Sequence, residues 1–239
     1  KNLFEDWLAH QGVSWNIGHC AADLIGRKVL PPFIIVGIDS PGPFRSQCYL
    51  PFPPGIGAHS HRPDAERWPG GDVESYMARV VEEVLPLVAT QWGGSLDRER
   101  LAFGGSSFGG VCALFAGMHY PHVFSSVLAE SPSIWSAEGR FLGDMEAHEG
   151  GWPDRTFIGT GTREYSATRD HDWDQIDQLL LHYSQEAVRI MECKGVHQHD
   201  GRLAFQVEEG AGHIEGAWGG RLHGSLQYLC QHWWGTGLQ

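Results

Sequence analysis

The stretch from residue 101 to 118 constrains this chain more than any other. Leu101-Ala102-Phe103 is a short apolar run of strand type, Gly104-Gly105-Ser106-Ser107-Phe108-Gly109-Gly110 follows at once, and Val111-Cys112-Ala113-Leu114-Phe115-Ala116-Gly117-Met118 is an apolar run of helix type. A glycine-rich turn between strand and helix is the joint of a βα unit. Within it, Gly105-Ser106-Ser107-Phe108-Gly109 has the G-x-S-x-G spacing that lifts a serine hydroxyl off the carboxyl end of a sheet. Ser107 is then expected in a strained turn. Gly105 and Gly109 are expected to give it room, because a Cβ there would meet the adjacent strand or helix. The helix that follows aims free N–H groups and its positive dipole end at the hydroxyl, where acyl transfer develops negative charge. The plain alternative, a glycine-rich turn with an incidental serine, leaves the flanking strand and helix and the additional Gly104 and Gly110 unexplained.

The rest of the chain repeats the same alternation. Residues 3–24 read as a loop and helix anchored by Trp7, Trp15 and Ile17. Residues 32–39 form an unbroken apolar run ending in Asp39, the pattern of a strand buried on both faces of a parallel sheet. A Pro- and Gly-rich loop over 40–71 carries Arg45, Tyr49, His59, His61, Arg62 and Trp68, and a loop of that length in a compact domain is usually functional. Asp72 caps a helix whose apolar residues recur from Val73 to Leu85, with Pro86 expected to kink or end it. Further strands are expected at 123–130, 155–161 and 203–207, and helices at 173–192 and 214–234. A βαβα order specifies one α/β domain over 1–239: a mostly parallel sheet with helices on both faces and the chemistry at the carboxyl ends of the strands.

Bulk properties narrow the partners. The formal charge of −12 argues against nucleic acid and anionic membrane surfaces, and no apolar run is long enough to span a bilayer. The five cysteines, Cys20, Cys48, Cys112, Cys193 and Cys230, have no metal-site spacing. Their odd number reads as reduced thiols, favouring an intracellular location. The pairs His59/His61 and His197/His199 lack a Cys or carboxylate set at ligand spacing and read as solvated loop histidines, so neither metal nor cofactor is expected.

A serine hydroxyl needs a base within hydrogen-bond reach and a third group to orient that base. His213 follows the last strand in a glycine-rich turn that opens a helix, and no other of the fourteen histidines is so placed. For the acid, the loop after 155–161 offers Glu164, Asp170 and Asp172. Glu164 stands nearest the strand end and Asp170 is the second choice, because loop geometry decides between them. The Phe108 N–H, one residue past the serine, is the expected oxyanion donor. Trp135 and Trp218 are expected to wall the pocket, with Arg45 facing the substrate.

These segments resemble the putative-esterase family of α/β-hydrolases, the esterase D and enterochelin-esterase-like group, over nearly the whole chain. The elbow matches the family's G-x-S-x-G-G. Tyr120-Pro121-His122-Val123-Phe124, Ser131-Pro132-Ser133-Ile134-Trp135, Val36-Gly37-Ile38-Asp39 with Arg45, Gly161-Thr162-Arg163-Glu164, and Gly212-His213 with Trp218 resemble its remaining segments. The resemblance implies hydrolysis of small-molecule carboxylic esters through a Ser-His-acid mechanism. The family's esters include siderophores, feruloyl and acetyl sugars and S-formylglutathione. It also implies about three strands ahead of a loop that Lys1-Asn2-Leu3-Phe4 matches. The chain is therefore expected to be part of a longer protein, lacking N-terminal strands that include one beside the elbow strand. A second oxyanion donor would come from the region of residues 1–3. Two other readings fit the same residues: a catalytically weak or inactive esterase-fold module that binds a carbohydrate or other ligand, and a thioesterase or peptidase.

Overall fold

The computed structural model describes residues 2–9, 12–53, 70–168 and 174–235. Four strands, β1 (Ala102–Ser106), β2 (Ser126–Glu130), β3 (Arg155–Gly161) and β4 (Leu203–Glu208), form one sheet in the order β1-β2-β3-β4, every pair parallel. Parallel neighbours need crossovers. Helix α5 (Phe108–His119) joins β1 to β2, α6 (Arg140–Ala147) lies between β2 and β3, and α7 (Asp174–Cys193) lies between β3 and β4. Helix α8 (Glu215–Cys230) follows β4 and ends in a 3-10 turn, Gln231–Gly235. Ahead of the sheet come α1 (Ile17–Gly26), α2 (Arg45–Tyr49), α3 (Val73–Arg79) and α4 (Leu85–Trp92).

The two faces of the sheet carry separate cores. Leu128 and Phe157, register partners on β2 and β3, point with Trp15, Leu24, Trp218 and Leu222 into the layer built by α1 and α8. Their neighbours Ala129 and Ile158 point to the opposite face, among Met77, Val111, Leu114, Met145 and Met191 from α3, α5, α6 and α7. Period-two alternation thus gives each strand two buried faces. Burying one Leu- or Met-sized side chain contributes about 1.5–3 kcal/mol.

Three expectations change on inspection. Residues 32–39 run without a ladder partner, and Ile34 and Val36 are 48% and 43% exposed. The apolar run needs a neighbouring strand to become sheet, and β1 is paired on one edge only among the described residues. Trp7 does not anchor the start of the chain. It is 78% exposed on a 3-10 turn, Asp6–Leu8, whose Asp6 carboxylate accepts from the Ser14 N–H and hydroxyl at 2.8 Å each. Of the two outcomes expected at Pro86, a kink or an end, the end is excluded. A π-helical segment, Val80–Val84, widens the turn just before it, and α4 continues to Trp92. The wider turn makes room for a ring that lacks an N–H and would otherwise crowd a carbonyl one turn back.

Candidate active site

Ser107 caps α5 with φ 60° and ψ −123°, a backbone region that costs a non-glycine residue energy and is held by the surrounding turn. A Cβ on Gly105 would lie 2.6 Å from the Gly109 carbonyl oxygen, so glycine is required there. Gly109 itself has open space around the same position, and the second crowded point is Gly110, whose Cβ would come within 3.0 Å of Pro132. The room expected at Gly109 is thus needed one residue later, where α5 passes the loop after β2. The Ser107 N–H donates to the Glu130 carbonyl at 2.9 Å, which ties the elbow to the end of β2. Phe108 opens α5.

Glu164 sits three residues past the end of β3 and is fully buried. Its Oε1 accepts from the Ser131 hydroxyl at 2.7 Å, the Gly161 N–H at 2.5 Å and the Thr160 hydroxyl at 3.2 Å. Its Oε2 lies 2.8 Å from His213 Nδ1. Burial alone would raise this carboxyl. The His213 hydrogen bond and charge, the Gly161 N–H and the Ser131 hydroxyl outweigh it and hold the group below the ordinary glutamate range, ionised and able to accept.

His213 is fixed twice by the same residue: its ring through Nδ1, and its backbone N–H through the Glu164 carbonyl at 2.6 Å. Tyr165 stacks on the imidazole, with centroids 5.1 Å apart and planes 13° apart, and Trp218 meets it edge-on at 5.0 Å. Tyr165 is in turn held by Asp177 in the first turn of α7, whose carboxylate accepts the Tyr165 N–H at 2.6 Å. With Nδ1 on a carboxylate, the ring presents Nε2 as its remaining nitrogen. The Ser107 hydroxyl is hydrogen-bonded to Ser133 Oγ at 3.2 Å rather than to His213. Such bonds are often loose in a free site and tighten with substrate.

The tryptophans differ from expectation. Trp135 is 2% exposed and lies edge-on to Tyr165 in a cluster with Ile176 and Leu180. Trp218 is 5% exposed and donates its indole N–H to Ser131 Oγ at 2.9 Å. Both indoles are buried in apolar clusters, Trp135 with side chains of α7 and Trp218 with side chains of α1 and Trp15, which matches core packing better than an exposed pocket wall. Arg45 lies over the Phe108 ring at 4.9 Å from its centroid and 5.8 Å from that of Tyr49. Burial lowers the tendency of this guanidinium to stay charged, and Tyr49, Tyr165 and Glu215 oppose that shift. Asn2 reaches the same end of the molecule, donating its side-chain amide to Glu215 Oε1 at 2.5 Å, two residues beyond His213. Asp170, Asp172, His59, His61, Arg62 and Trp68 lie outside the described residues.

The hydroxyls of Ser133 and Thr160 escaped the sequence reading as site groups, whereas Ser131 follows a strand as Ser107, Glu164 and His213 do, at the end of the sheet where they can converge. The signal for Ser133 and Thr160 was only the Ser131-Pro132-Ser133 segment directly after a buried strand and a threonine near the end of the next.

A family profile described as "Putative esterase" matches residues 8–229. The chain is 33% identical over 106 residues to the Iron(III) enterobactin esterase of Dickeya dadantii, covering 38% of this chain and 24% of that one. It is 32% identical over 132 residues to the Iron(III) enterobactin esterase of Escherichia coli K12, covering 53% and 28%. These matches therefore span about a quarter of each relative's length. Among solved structures, the enterobactin esterase FES from Shigella flexneri, in the presence of enterobactin, superposes with a TM-score of 0.63. Its identity is 23%, over 85% of this chain and 44% of that one. That likeness shows the fold, the α/β-hydrolase arrangement.

Proposed function

The chain belongs to the putative esterase family, and from that premise we propose that it hydrolyses small-molecule carboxylic esters through an acyl-enzyme on Ser107. The observation that carries this reading is the buried, four-times-donated Glu164 carboxylate bonded to His213 Nδ1, at the strand ends that also bear the Ser107 elbow. Ser107 Oγ attacks the ester carbonyl carbon while His213 Nε2 takes its proton, and Glu164 stabilises the imidazolium that forms. The carbonyl oxygen, now negative, is met by the Phe108 N–H at the start of α5. The imidazolium then gives its proton to the departing alkoxide. Water, activated by the same nitrogen, releases the acid from Ser107 in the second half of the cycle.

Arg45 supports an ester whose acyl or alcohol part carries negative charge or an aromatic face, since a half-buried guanidinium beside Phe108 favours both. The similarity to enterobactin esterases fits such a substrate.

The test is covalent labelling by a fluorophosphonate probe followed by mapping of the modified residue. Label on Ser107, absent in Ser107→Ala, supports a serine hydrolase. Lack of label leaves a ligand-binding module as the better account. Turnover of short acyl esters, compared with the matching thioesters and peptides, then separates the esterase from a thioesterase or peptidase.

A further inference from the structure

Two serines at the carboxyl ends of neighbouring strands hold a left-handed backbone, Ser107 and Ser131. The elbow accounts for the first. Ser131, with φ 43°, follows the last residue of β2, and its N–H still continues the ladder to the Gly159 carbonyl at 2.7 Å. A serine in this conformation carries a cost that its surroundings must outweigh. The bend swings its fully buried hydroxyl across the end of β3, between the Trp218 indole N–H at 2.9 Å and Glu164 Oε1 at 2.7 Å.

The direction of this chain of bonds follows from chemistry alone. An indole nitrogen can only donate, so the Ser131 oxygen accepts from Trp218 and the single hydroxyl proton goes to Glu164. Among the donors on Oε1, Gly161 contributes its backbone, and the Thr160 hydroxyl is longer at 3.2 Å and also lies 3.5 Å from the Gly161 carbonyl. Ser131 is therefore the one short side-chain donor to Glu164 Oε1 among the described residues. Trp218 stands on the first turn of α8, directly after the His213 loop, and its ring meets the imidazole edge-on. Strand end, acid and base are thereby joined through one hydroxyl.

We propose that Ser131, oriented by Trp218, is a positioning residue for the acid: it holds Glu164 Oε1 so that Oε2 stays on His213 Nδ1. This rests on the reading of Glu164 and His213 as acid and base. A carboxylate without that donor has one side less firmly held, and the imidazole loses part of what fixes its tautomer and tilt.

The experiment compares Ser131→Gly, Ser131→Ala, Trp218→Phe and the double variant Ser131→Gly/Trp218→Phe. Glycine removes the hydroxyl and relieves the left-handed strain together, so a merely structural role for Ser131 leaves Ser131→Gly fully active. If Ser131 positions the acid, glycine and alanine both lower kcat by about 10–100-fold, the scale seen when groups that orient a functional histidine are removed, with KM nearly unchanged. Trp218→Phe lowers kcat in the Ser131 background and has no further effect beside Ser131→Gly, because its influence passes through the missing hydroxyl.

An NMR readout needs no turnover: the downfield His213 Nδ1 proton is expected to shift or broaden in Ser131→Gly and in Trp218→Phe. Wild-type kcat and an unchanged His213 proton in Ser131→Gly overturn the proposal. An equal cost of Trp218→Phe in both backgrounds overturns the relay from the indole. A parent protein that shows the responsive His213 proton yet neither hydrolyses esters nor labels with the probe overturns the esterase reading and leaves the positioning role supported.

Discussion

At the scale of single residues, the site is a chain of short bonds with separable roles. Ser107→Ala is expected to lower kcat by about a thousandfold or more while leaving thermal unfolding nearly unchanged, since the bond lost is the weak one to Ser133. His213→Ala is expected to cost as much, and the double variant hardly more, because residues that act as one unit are not additive. Additive losses in steady-state kinetics would remove His213 from the mechanism. Glu164→Gln is expected to cost less than either and to change the acid response. The Glu164 carboxyl is held below its ordinary value, so its stabilisation is present above about pH 4.3 and is lost as pH falls through the native value. Wild type should therefore lose its stability advantage over Glu164→Gln on acidification below that point, which thermal melts at several pH values read directly. Ser107, Glu164 and His213 were legible as candidates because each follows a strand end, in the Ser-acid-His order of this kind of fold. Ser131 was legible as a strand-end residue but its role was not, and Ser133 was not legible, since a short polar residue after a strand is commonplace and only the backbone bend at Ser131 shows what its hydroxyl meets. Trp218 was legible as a neighbour of His213, but its inward indole depends on packing against Trp15, far away in sequence.

At the scale of elements, α8 is held on the sheet by charge as well as by apolar contact. Arg221 donates from Nε and Nη2 to Glu130 Oε2 at 2.9 and 2.7 Å, and from Nη1 to Glu208 Oε2 at 2.6 Å, so that one helix residue joins the ends of β2 and β4. Both bonds to Glu130 fall on one oxygen, and Oε1 is buried without a partner among the described residues. Burial therefore outweighs the attraction of Arg221 and pushes the Glu130 carboxyl up to about 7, with Glu164 and Glu208 adding to the rise. The sign follows from linkage: stability tied to this group is present below about pH 4.3 and lost as pH rises through about 7. The difference in stability between wild type and Glu130→Gln should accordingly shrink between those limits, and a constant difference would place the proton elsewhere. Arg221→Met, which leaves Glu130 without its cation, is expected to destabilise in denaturant unfolding by an amount that grows as pH rises above about 7, where the buried carboxyl is driven to ionise, toward about 3–5 kcal/mol. The strongly periodic α7 was readable to within a residue at each end, whereas α5 was legible as an unbroken apolar run and α8 as the segment after the last strand, each with an end misplaced by three or four residues. The π segment before Pro86 was not, because proline dictates only that a hydrogen bond is lost, and the packing of Val80 and Met77 decides that the helix carries on.

At the scale of the whole molecule, the parallel pairing of the sheet followed from the alternation of strands and helices, but its order and what lies beside β1 did not. The run 32–39 was legible as apolar and extended, whereas a strand exists only by pairing, and pairing is a property of the neighbour. Among the described residues β1 is bonded to β2 alone, with Ala102 and Gly104 exposed, and Ile34 and Val36 of the run 32–39 are exposed too. An edge that presents unpaired N–H and C=O groups is a template for another strand, and exposed apolar side chains add to the tendency to associate. The 239-residue chain is therefore expected to self-associate as its concentration rises, and sedimentation velocity over a hundredfold range is the measurement. Lysine on that edge opposes strand addition through charge and solvation. Ala102→Lys combined with Ile34→Lys should shift the distribution toward monomer, while Trp92→Lys, at an exposed position on α4 outside the sheet, should not. Association that ignores the edge pair and responds to Trp92→Lys would move the sticky surface from the open edge of β1 to the helical face.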